Sequence, residues 1–414
     1  MTTPLPAAQR VPTLDIVRGF ALLGILIMNM PGFSTSFFAG ADGAHLWTDP
    51  VDRIAENVRD LLFAGKFNSM FSLLFGIGFT VQYTRMQQAD PQRATTLYLR
   101  RLLVLGAFGL LHACVFWPGD VLHTYALLGL LMLLVLRHAS DRCIAVLIVL
   151  CLLYPAVNGA LRLWFMTPDV VEMLVQQAQS MEASNNLAYG SGSFWDAMVE
   201  HTRDITHFYD NRWSLWGMLG WNVQLGLTML LGLLAGRRRW PQRITELMPQ
   251  VRRLQGWTLI VGLVCSAAFT VIFECNRVPG PSPIKWLGSI AYWLSRLSMM
   301  LFYVLTIVRL AQHPVWAQRL AFMGAAGRMP LTNYLMQTLI CTTLFYGWGL
   351  GLWGQVGPAA GLVLSLAIFF LIQVPGSLWW MAQHEQGPLE RLWSRLTYGR
   401  AGATPAAAAA SRAL

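Results

Sequence analysis

The chain has 414 residues, a formal net charge of +10 and 55% hydrophobic residues, with a mean hydropathy of +0.47. These values exclude an ordinary set of soluble domains. The basic residues lie in short connections beside apolar segments, where they act as topology signals and not as a surface for nucleic acid. The six cysteines lack CxxC spacing, so no metal centre is predicted.

Apolar segments of membrane-spanning length follow one another along the chain. A bilayer core about 30 Å thick needs roughly 20 apolar residues per helix. We therefore predict an all-α, polytopic transmembrane helical bundle of about ten spans. They are placed at 14–30, 61–83, 97–117, 121–136, 143–165, 213–236, 254–273, 286–308, 329–348 and 361–381.

The spans predict a single membrane domain over residues 1–400. Five spans lie in 14–165, an external connection covers 166–212, five more lie in 213–400, and the Ala-rich tail 401–414 is expected to be disordered. Lys and Arg gather in every second gap, so the positive-inside rule places both termini in the cytoplasm.

Two of these segments are open to a second interpretation. The first could be a cleaved signal peptide because a small-residue stretch, 39–41, follows it; Asp15 and Arg18 lie so close to the apolar run that a retained span is favoured. The connection 166–212 predicts two short amphipathic helices around a Gly-Ser break at 190–193. They form either a lid over a pocket or a solvated cap.

Polar residues inside spans are the best functional evidence, since each charge there needs a partner or a purpose. His112 and His123 flank the turn between the third and fourth spans, and Asp120 stands between them. A carboxylate beside an imidazole can fix its tautomer, as a general base requires. The same residues could instead only join the two helices by hydrogen bonds.

The first and second spans also carry polar groups. Arg18 and Asn29 are eleven residues apart and therefore share one helix face, about 20° apart in rotation. Asp15 lies one turn before Arg18, so either an ion pair or a ligand-binding role fits Arg18. Lys66, near the outer end of the second span, could extend to the interface or pair with Asp120.

The second half of the chain adds further polar groups. Arg296 lies deep in the eighth span and needs an internal anion, either a carboxylate such as Asp15 or a substrate group. Asn333 and Gln337, at i and i+4 on the ninth span, could line the same cavity or join helices. We expect Asn29, His112, Asp120 and Arg296 to converge on one chamber.

With these residues placed, the chain resembles the YeiB-like family of bacterial inner-membrane proteins, whose C-terminal half is a domain of unknown function, DUF418. The blocks that carry the resemblance run from end to end: LDIVRGFALLGI at 14–25, KF at 66–67 with FSLLFG at 71–76, His112 with WPGD at 117–120, GRMPLTNYL at 327–335, and GPLE at 387–390 with Trp393. The resemblance implies a multi-pass protein of the bacterial inner membrane.

The chain is more distantly similar to transmembrane acyltransferases of the heparan glucosaminide acetyltransferase type. The shared element is an Arg on the first span followed eleven residues later by Asn or His, here Arg18 and Asn29. In that acetyltransferase a catalytic His follows the Asn in the next external segment. The resemblance implies that role for His45, but the spacing here is longer, so His112 is our preferred base.

Our leading hypothesis is a transferase that moves an acyl group from cytoplasmic acyl-CoA to an external carbohydrate or lipid. His112, oriented by Asp120, would deprotonate the acceptor, and Asn29 would stabilise the oxyanion. Arg18 and Arg296 would bind the donor, and the substrate-binding candidates are Lys66, His123, Asn333 and Gln337. Expected partners are membrane lipids and the acceptor, without nucleic acid, and a homodimer is allowed for.

Two other functions compete with acyl transfer. A transporter or exporter of a small organic anion would use Arg296 for the substrate and His112 with Asp120 for a proton. In a non-catalytic membrane partner, the polar residues would only hold the helices together. The sequence therefore predicts the architecture directly and leaves the function as a choice among three classes.

Overall fold

The computed structural model describes residues 12–399, so the predicted tail 401–414 lies outside the described residues. The secondary structure across 12–399 is helical, which confirms the all-α class. The helices are α1 Pro12–Ser34, α2 Pro50–Leu62, α3 Lys66–Ala89, α4 Ala94–Val115, α5 Leu122–Leu134, α6 Asp141–Phe165, α7 Pro168–Gly190, α8 Phe194–His207, α9 Arg212–Arg237, α10 Met248–Cys275, α11 Pro283–Ala311, α12 Pro314–Arg319, α13 Ala321–Gly327, α14 Pro330–Phe345, α15 Pro358–Ala367, α16 Val374–Gln383 and α17 Pro388–Tyr398. A π-helical segment, Ile368–Gln373, joins α15 to α16.

Eight helical segments in the described residues are long and apolar enough to cross a membrane, which confirms a polytopic bundle. The other two predicted spans, 121–136 and 329–348, correspond to shorter helices, because α5 has 13 residues and α14 has 16. At about 1.5 Å per residue, α5 measures only about 20 Å, less than the bilayer core. The ten predicted spans are thus eight long segments and two shorter helices.

The second span begins later than predicted. Gly65 has a φ of 68°, a left-handed conformation that ends the preceding helix and lets α3 begin at Lys66. Residues 61–62 belong to α2, an amphipathic helix whose apolar side chains Val51, Ile54 and Val58 are exposed along one face. Such a helix is suited to lie along the membrane surface.

The connections divide the bundle into two ends. We call inner the end that holds the arginine-rich connection 237–253 and the start of α1, and outer the opposite end. The connection 166–212 forms α7 and α8 at the outer end, as its pattern predicts, and Ser193 and Asp196 form a capping box at the start of α8. The outer segments therefore form a helical layer over the bundle.

Glycines let the central helices approach closely. A Cβ on Gly76 of α3 would overlap the carbonyl of Met229 in α9, and a Cβ on Gly232 of α9 would overlap the carbonyl of Leu73. Small residues at such crossings are how helices pack in membranes, because lipid tails provide no hydrophobic drive for association. This contact fixes α3, which carries much of the candidate site.

Candidate functional site

The turn between α4 and α5 brings two imidazoles to one carboxylate. Asp120 Oδ2 lies 2.8 Å from His112 Nδ1, and Asp120 Oδ1 lies 2.8 Å from His123 Nδ1 and accepts the His123 backbone N–H at 2.9 Å. Trp117 anchors the turn by donating its indole N–H to the carbonyl of Gly32 at 2.9 Å. The spacing of these residues therefore predicted their contact correctly, while the catalytic role stays a prediction.

His112 also contacts a residue that sequence reasoning missed. Its Nε2 lies 2.9 Å from Thr338 Oγ1 on α14, and its side chain is 1% exposed. An ionised Asp120 can only accept hydrogen bonds, so in the neutral form of His112 the proton lies on Nδ1 and Nε2 accepts from Thr338. The result is a carboxylate, imidazole and hydroxyl in series, the order in which a base is oriented and used. Nothing in the sequence distinguishes Thr338 from the other three threonines of α14, so this contact has no sequence signal.

A cavity of about 600 Å³ extends from the inner end of the bundle toward this cluster. Its lining runs along α3 from Phe71 to Ala89, a stretch of nineteen residues that rises about 27 Å along the helix. The inner mouth of the cavity carries both acidic and basic side chains. The rest of the cavity, which we call the shaft, is lined mostly by apolar side chains. The charged residues in its lining are Asp15, Arg18, Arg85, Arg101, Arg328, Glu385 and Glu390.

The deep end of the cavity reaches the neighbourhood of the His112 cluster without including it. Val121, Tyr125 and Tyr334 line this end, and the ring of Tyr334 lies 5.3 Å from the imidazole of His112 between centroids. Asn29, His112, Asp120 and Arg296 are absent from its lining. These four residues therefore do not line one chamber, as the sequence had led us to expect. The cavity instead ends beside His112.

The two polar residues of the first span occupy different places. Arg18 lines the cavity mouth and pairs with Asp15 at 2.5 Å, so the ion pair expected from the sequence forms within the site. Asn29 lies about 16 Å further along α1 by helix rise and is half-buried. Its oxyanion role stays a prediction.

Lys66 and Arg296 do not pair with the carboxylates considered from the sequence. The amine of Lys66 donates to the backbone carbonyl of Asp60 at 2.8 Å, and its side chain is buried instead of extending to the interface. Arg296 lies over the rings of Tyr292 and Trp221, at 5.0 and 5.6 Å.

The amides of α14 connect helices. Asn333 donates to the carbonyl of Ala326 and to Ser377, both at 3.0 Å. Gln337 donates to the carbonyl of Leu22 at 3.1 Å and to Gln373 of the π-helical segment at 2.9 Å. Their geometry matches the helix-joining alternative, and neither residue lines the cavity.

His45 lies in the outer loop before α2. Its Nε2 is 3.6 Å from a carboxylate oxygen of Glu274, which also pairs with Arg53. This placement connects the loop to α10, whereas His112 belongs to the buried cluster of α4, α5 and α14.

A second polar cluster, which sequence reasoning missed, lies between α7 and α8. Tyr189 donates to Asp204 at 2.6 Å, and Asn185 donates to both Asp204 and Glu200 at 3.0 Å. Burial raises the pKa of Asp204 to about 6 and lowers the pKa of the neighbouring His201 to about 3. The i, i+4 spacing of Glu200 and Asp204 placed both on one face of α8, but the sequence did not show that this face is buried.

Comparison with known proteins identifies relatives along the whole chain. Residues 235–400 match the model of the family described as "Protein of unknown function (DUF418)". The chain is 30% identical to "Uncharacterized protein YxaH" of Bacillus subtilis (strain 168), over 95% of this chain and 96% of that protein. It is 29% identical to "Uncharacterized protein YeiB" of Escherichia coli (strain K12), over 98% and 100%.

A third relative extends the comparison. The chain is 26% identical to "Uncharacterized 39.9 kDa protein in amylase 3'region" of Bacillus acidopullulyticus, over 96% of both proteins. The relatives and the long apolar helices together indicate a multi-pass bacterial membrane protein. The chain therefore belongs to the family of YeiB-like and YxaH-like membrane proteins that carry a DUF418 domain.

Proposed function

We propose that this protein is an acyltransferase of the bacterial inner membrane, which takes an acyl group from cytoplasmic acyl-CoA and delivers it to a hydroxyl or amine of an external carbohydrate or lipid. One observation carries the proposal. The inner cavity combines an arginine-containing mouth with an apolar shaft and ends beside His112. An acyl-CoA has the same order of parts, with phosphates at one end and an acyl thioester at the other.

The mouth supplies the groups that bind phosphates. Arg18, Arg85, Arg101 and Arg328 line it, and guanidinium groups favour phosphate because they offer paired donors. The carboxylate of Glu390, also in the lining, is occupied by backbone and hydroxyl donors of Leu331 and Thr332. With four arginines against three carboxylates, the charged residues of the lining carry a formal net charge of +1, which favours an anion.

The deep end supplies the chemistry. In the proposed step, His112 Nε2 removes a proton from the acceptor, which takes the place of Thr338 at this nitrogen. The acceptor oxygen or nitrogen forms a bond to the thioester carbonyl, the carbon–sulfur bond breaks, and the CoA thiolate takes up the proton from His112. Asp120 stabilises the imidazolium formed in between. Movement of the Tyr334 ring joins the cavity to His112.

The test is acyl transfer by the full chain in lipid nanodiscs, with labelled acetyl-CoA and longer acyl-CoA donors and with bacterial lipid and glycan fractions as acceptors. His112→Ala should lower transfer at least about 100-fold, because general bases contribute about 10²- to 10⁴-fold. His313→Ala, an exposed histidine outside the site, is the matched control. Equal transfer by the two variants would remove His112 from the mechanism.

A specific observation also supports export of an amphiphilic anion as a second candidate. The π-helical segment Ile368–Gln373 interrupts the last long span, and Gln373 bonds to Gln337 and to the carbonyl of Asn333 within the bundle. Interrupted helices are common at transport sites. Movement of an acyl anion across proteoliposomes without release of free CoA would favour export over transfer.

A further inference from the structure

Two cationic side chains lie buried together in the outer half of the bundle. Lys66 begins α3 and is 0% exposed, and Arg296 lies in the middle of α11 and is 3% exposed. Neither lines the inner cavity, so they are separate from the arginines of its mouth. Burial of a charge is costly unless a partner of opposite charge accompanies it.

The two cations are neighbours. The guanidinium of Arg296 packs directly against Gly65, so that a Cβ on this glycine would overlap Arg296 Nε. Gly65 immediately precedes Lys66, and the charges of Arg296 and Lys66 repel each other. The two residues are 230 positions apart in the chain, and the sequence showed no sign of this pairing.

Within the described residues neither side chain forms an ion pair, although the Asp60 carboxylate attracts Lys66 from a longer distance. No Asp or Glu of residues 12–399 lies within ion-pair distance, 4.0 Å, of either side chain. Lys66 donates to a neutral carbonyl, that of Asp60, whose carboxylate instead pairs with Arg59 at 2.9 Å. The aromatic rings beside Arg296 lower the free-energy cost of burying its charge, but they do not neutralise that charge.

The free donors of Arg296 are arranged for an anion. Its Nε and Nη2 are buried without a hydrogen-bond partner in the described residues. These two nitrogens form one edge of the guanidinium, and their parallel N–H groups fit two oxygens of a carboxylate or phosphate.

The start of α3 adds to the same field. Gly65 is the N-cap of this helix, and no side chain caps its first turn. The N-terminal end of a helix carries a partial positive charge and unpaired N–H groups, which favour an anion. Lys66, the Arg296 guanidinium packed against Gly65 and the start of α3 therefore place three sources of positive potential next to one another.

We propose that Lys66 and Arg296 form a binding site for one anionic group, a carboxylate or a phosphate, that approaches from the outer end of the bundle. Asp60, whose carbonyl accepts from Lys66, lines an outer cavity of about 230 Å³, whose other charged residues are Glu56, Glu274, Arg277 and Lys285. The last turn of α2 thus separates Lys66 from this cavity. The anionic group belongs to a free small molecule or to a lipid headgroup. The site rests on packing and charge, independently of acyl transfer.

The experiment measures ligand-dependent melting of the full chain by its intrinsic tryptophan fluorescence. Inorganic phosphate and acetate are titrated at constant ionic strength in detergent, and nanodiscs of phosphatidylcholine are compared with nanodiscs that also contain phosphatidylglycerol. We expect a saturable rise of the melting temperature with at least one probe. Lys66→Gln and Arg296→Gln should each weaken the apparent affinity at least ten-fold. Arg212→Gln, which removes an exposed cation of the outer end that lines neither cavity, should leave it unchanged.

The comparison of probes identifies the source of the anion. A response to phosphate or acetate indicates a free ligand, and a response to phosphatidylglycerol alone indicates a lipid headgroup. Arg296→Lys keeps the charge but loses the paired donors, so it should fold even if Arg296→Gln does not, and it should bind more weakly than the native chain. The proposal is overturned if the native chain responds to no probe, or if Arg296→Lys responds as the native chain does.

Discussion

Asp120 uses both carboxylate oxygens, one for each imidazole of the outer turn. This arrangement was predictable because the three residues flank a single tight turn, and local spacing determines such contacts. The partner on the other side of His112 was not predictable. Thr338 lies 226 residues away, and only the packing of α14 against α4 brings its hydroxyl to Nε2.

Asp204 leads to a prediction about pH. Its carboxyl has a pKa near 4 in an unfolded chain and about 6 in the folded protein, because burial disfavours the charged form. Between these values the folded state holds a proton that the unfolded state has lost, so stability is full below about pH 4 and falls as pH rises to about 6. Asp204→Asn should flatten this decline.

Melting temperature measured from pH 4 to 7 in detergent checks this expectation. Asp169→Asn, at an exposed position of α7, is the control and should keep the native slope. An Asp204→Asn profile parallel to the native one would show that Asp204 does not titrate in this range.

At the scale of elements, residues that carry the family resemblance hold helices together. Glu390 of the GPLE block accepts the N–H groups of Leu331 and Thr332 at 2.7 and 3.1 Å and the hydroxyl of Thr332 at 2.6 Å. It thereby caps α14, which begins in the GRMPLTNYL block. The two blocks are distant in the chain. They therefore look like separate motifs in the sequence, although in the structure they meet in one contact.

The crossing of α3 and α9 gives a prediction at this scale. Gly76→Ala should lower the melting temperature, because its Cβ would overlap the backbone of α9. Gly78→Ala on the same helix meets no atom within 4 Å and should leave stability unchanged or raise it slightly, since Ala favours helix by about 1 kcal/mol over Gly. Thermal unfolding of both variants in detergent measures the difference. Equal melting temperatures would mean that α9 moves aside without cost.

At the scale of the whole molecule, orientation follows from charge. The connection 237–253 should face the cytoplasm and α7 the outside. In a cysteine-free variant, Ser180→Cys on α7 should react with a membrane-impermeant maleimide in intact cells, and Gln250→Cys at the start of α10 should react only after lysis. Both positions are exposed, so accessibility of the side chain is not limiting. The opposite labelling pattern would show that the orientation in the membrane is the reverse of the one predicted.

The inner cavity is formed by residues from distant parts of the chain. Its lining comes from α1, α3, α4, α5, α13, α14 and α17 and from connections at the inner end, and the amphipathic α17 returns to the inner mouth. Arg101 stacks on Trp393 of α17 at 3.6 Å, a contact that closes one side of the mouth. The sequence predicted which residues are polar in the membrane, but its expectation of one shared chamber failed because helix neighbours cannot be read from a linear pattern.

The amino-acid pattern was enough to predict the membrane class, eight of the ten spans, an orientation in the membrane and the Asp120 cluster. Each depends on composition or on residues close in the chain, where hydropathy, helix rise and a short turn leave few alternatives. The folded structure was needed to show that Thr338 meets His112, that the cavity ends at Tyr334 and that Lys66 lies beside Arg296. These contacts join residues far apart in the chain, and helix packing, set by glycine crossings and interhelical hydrogen bonds, brings them together.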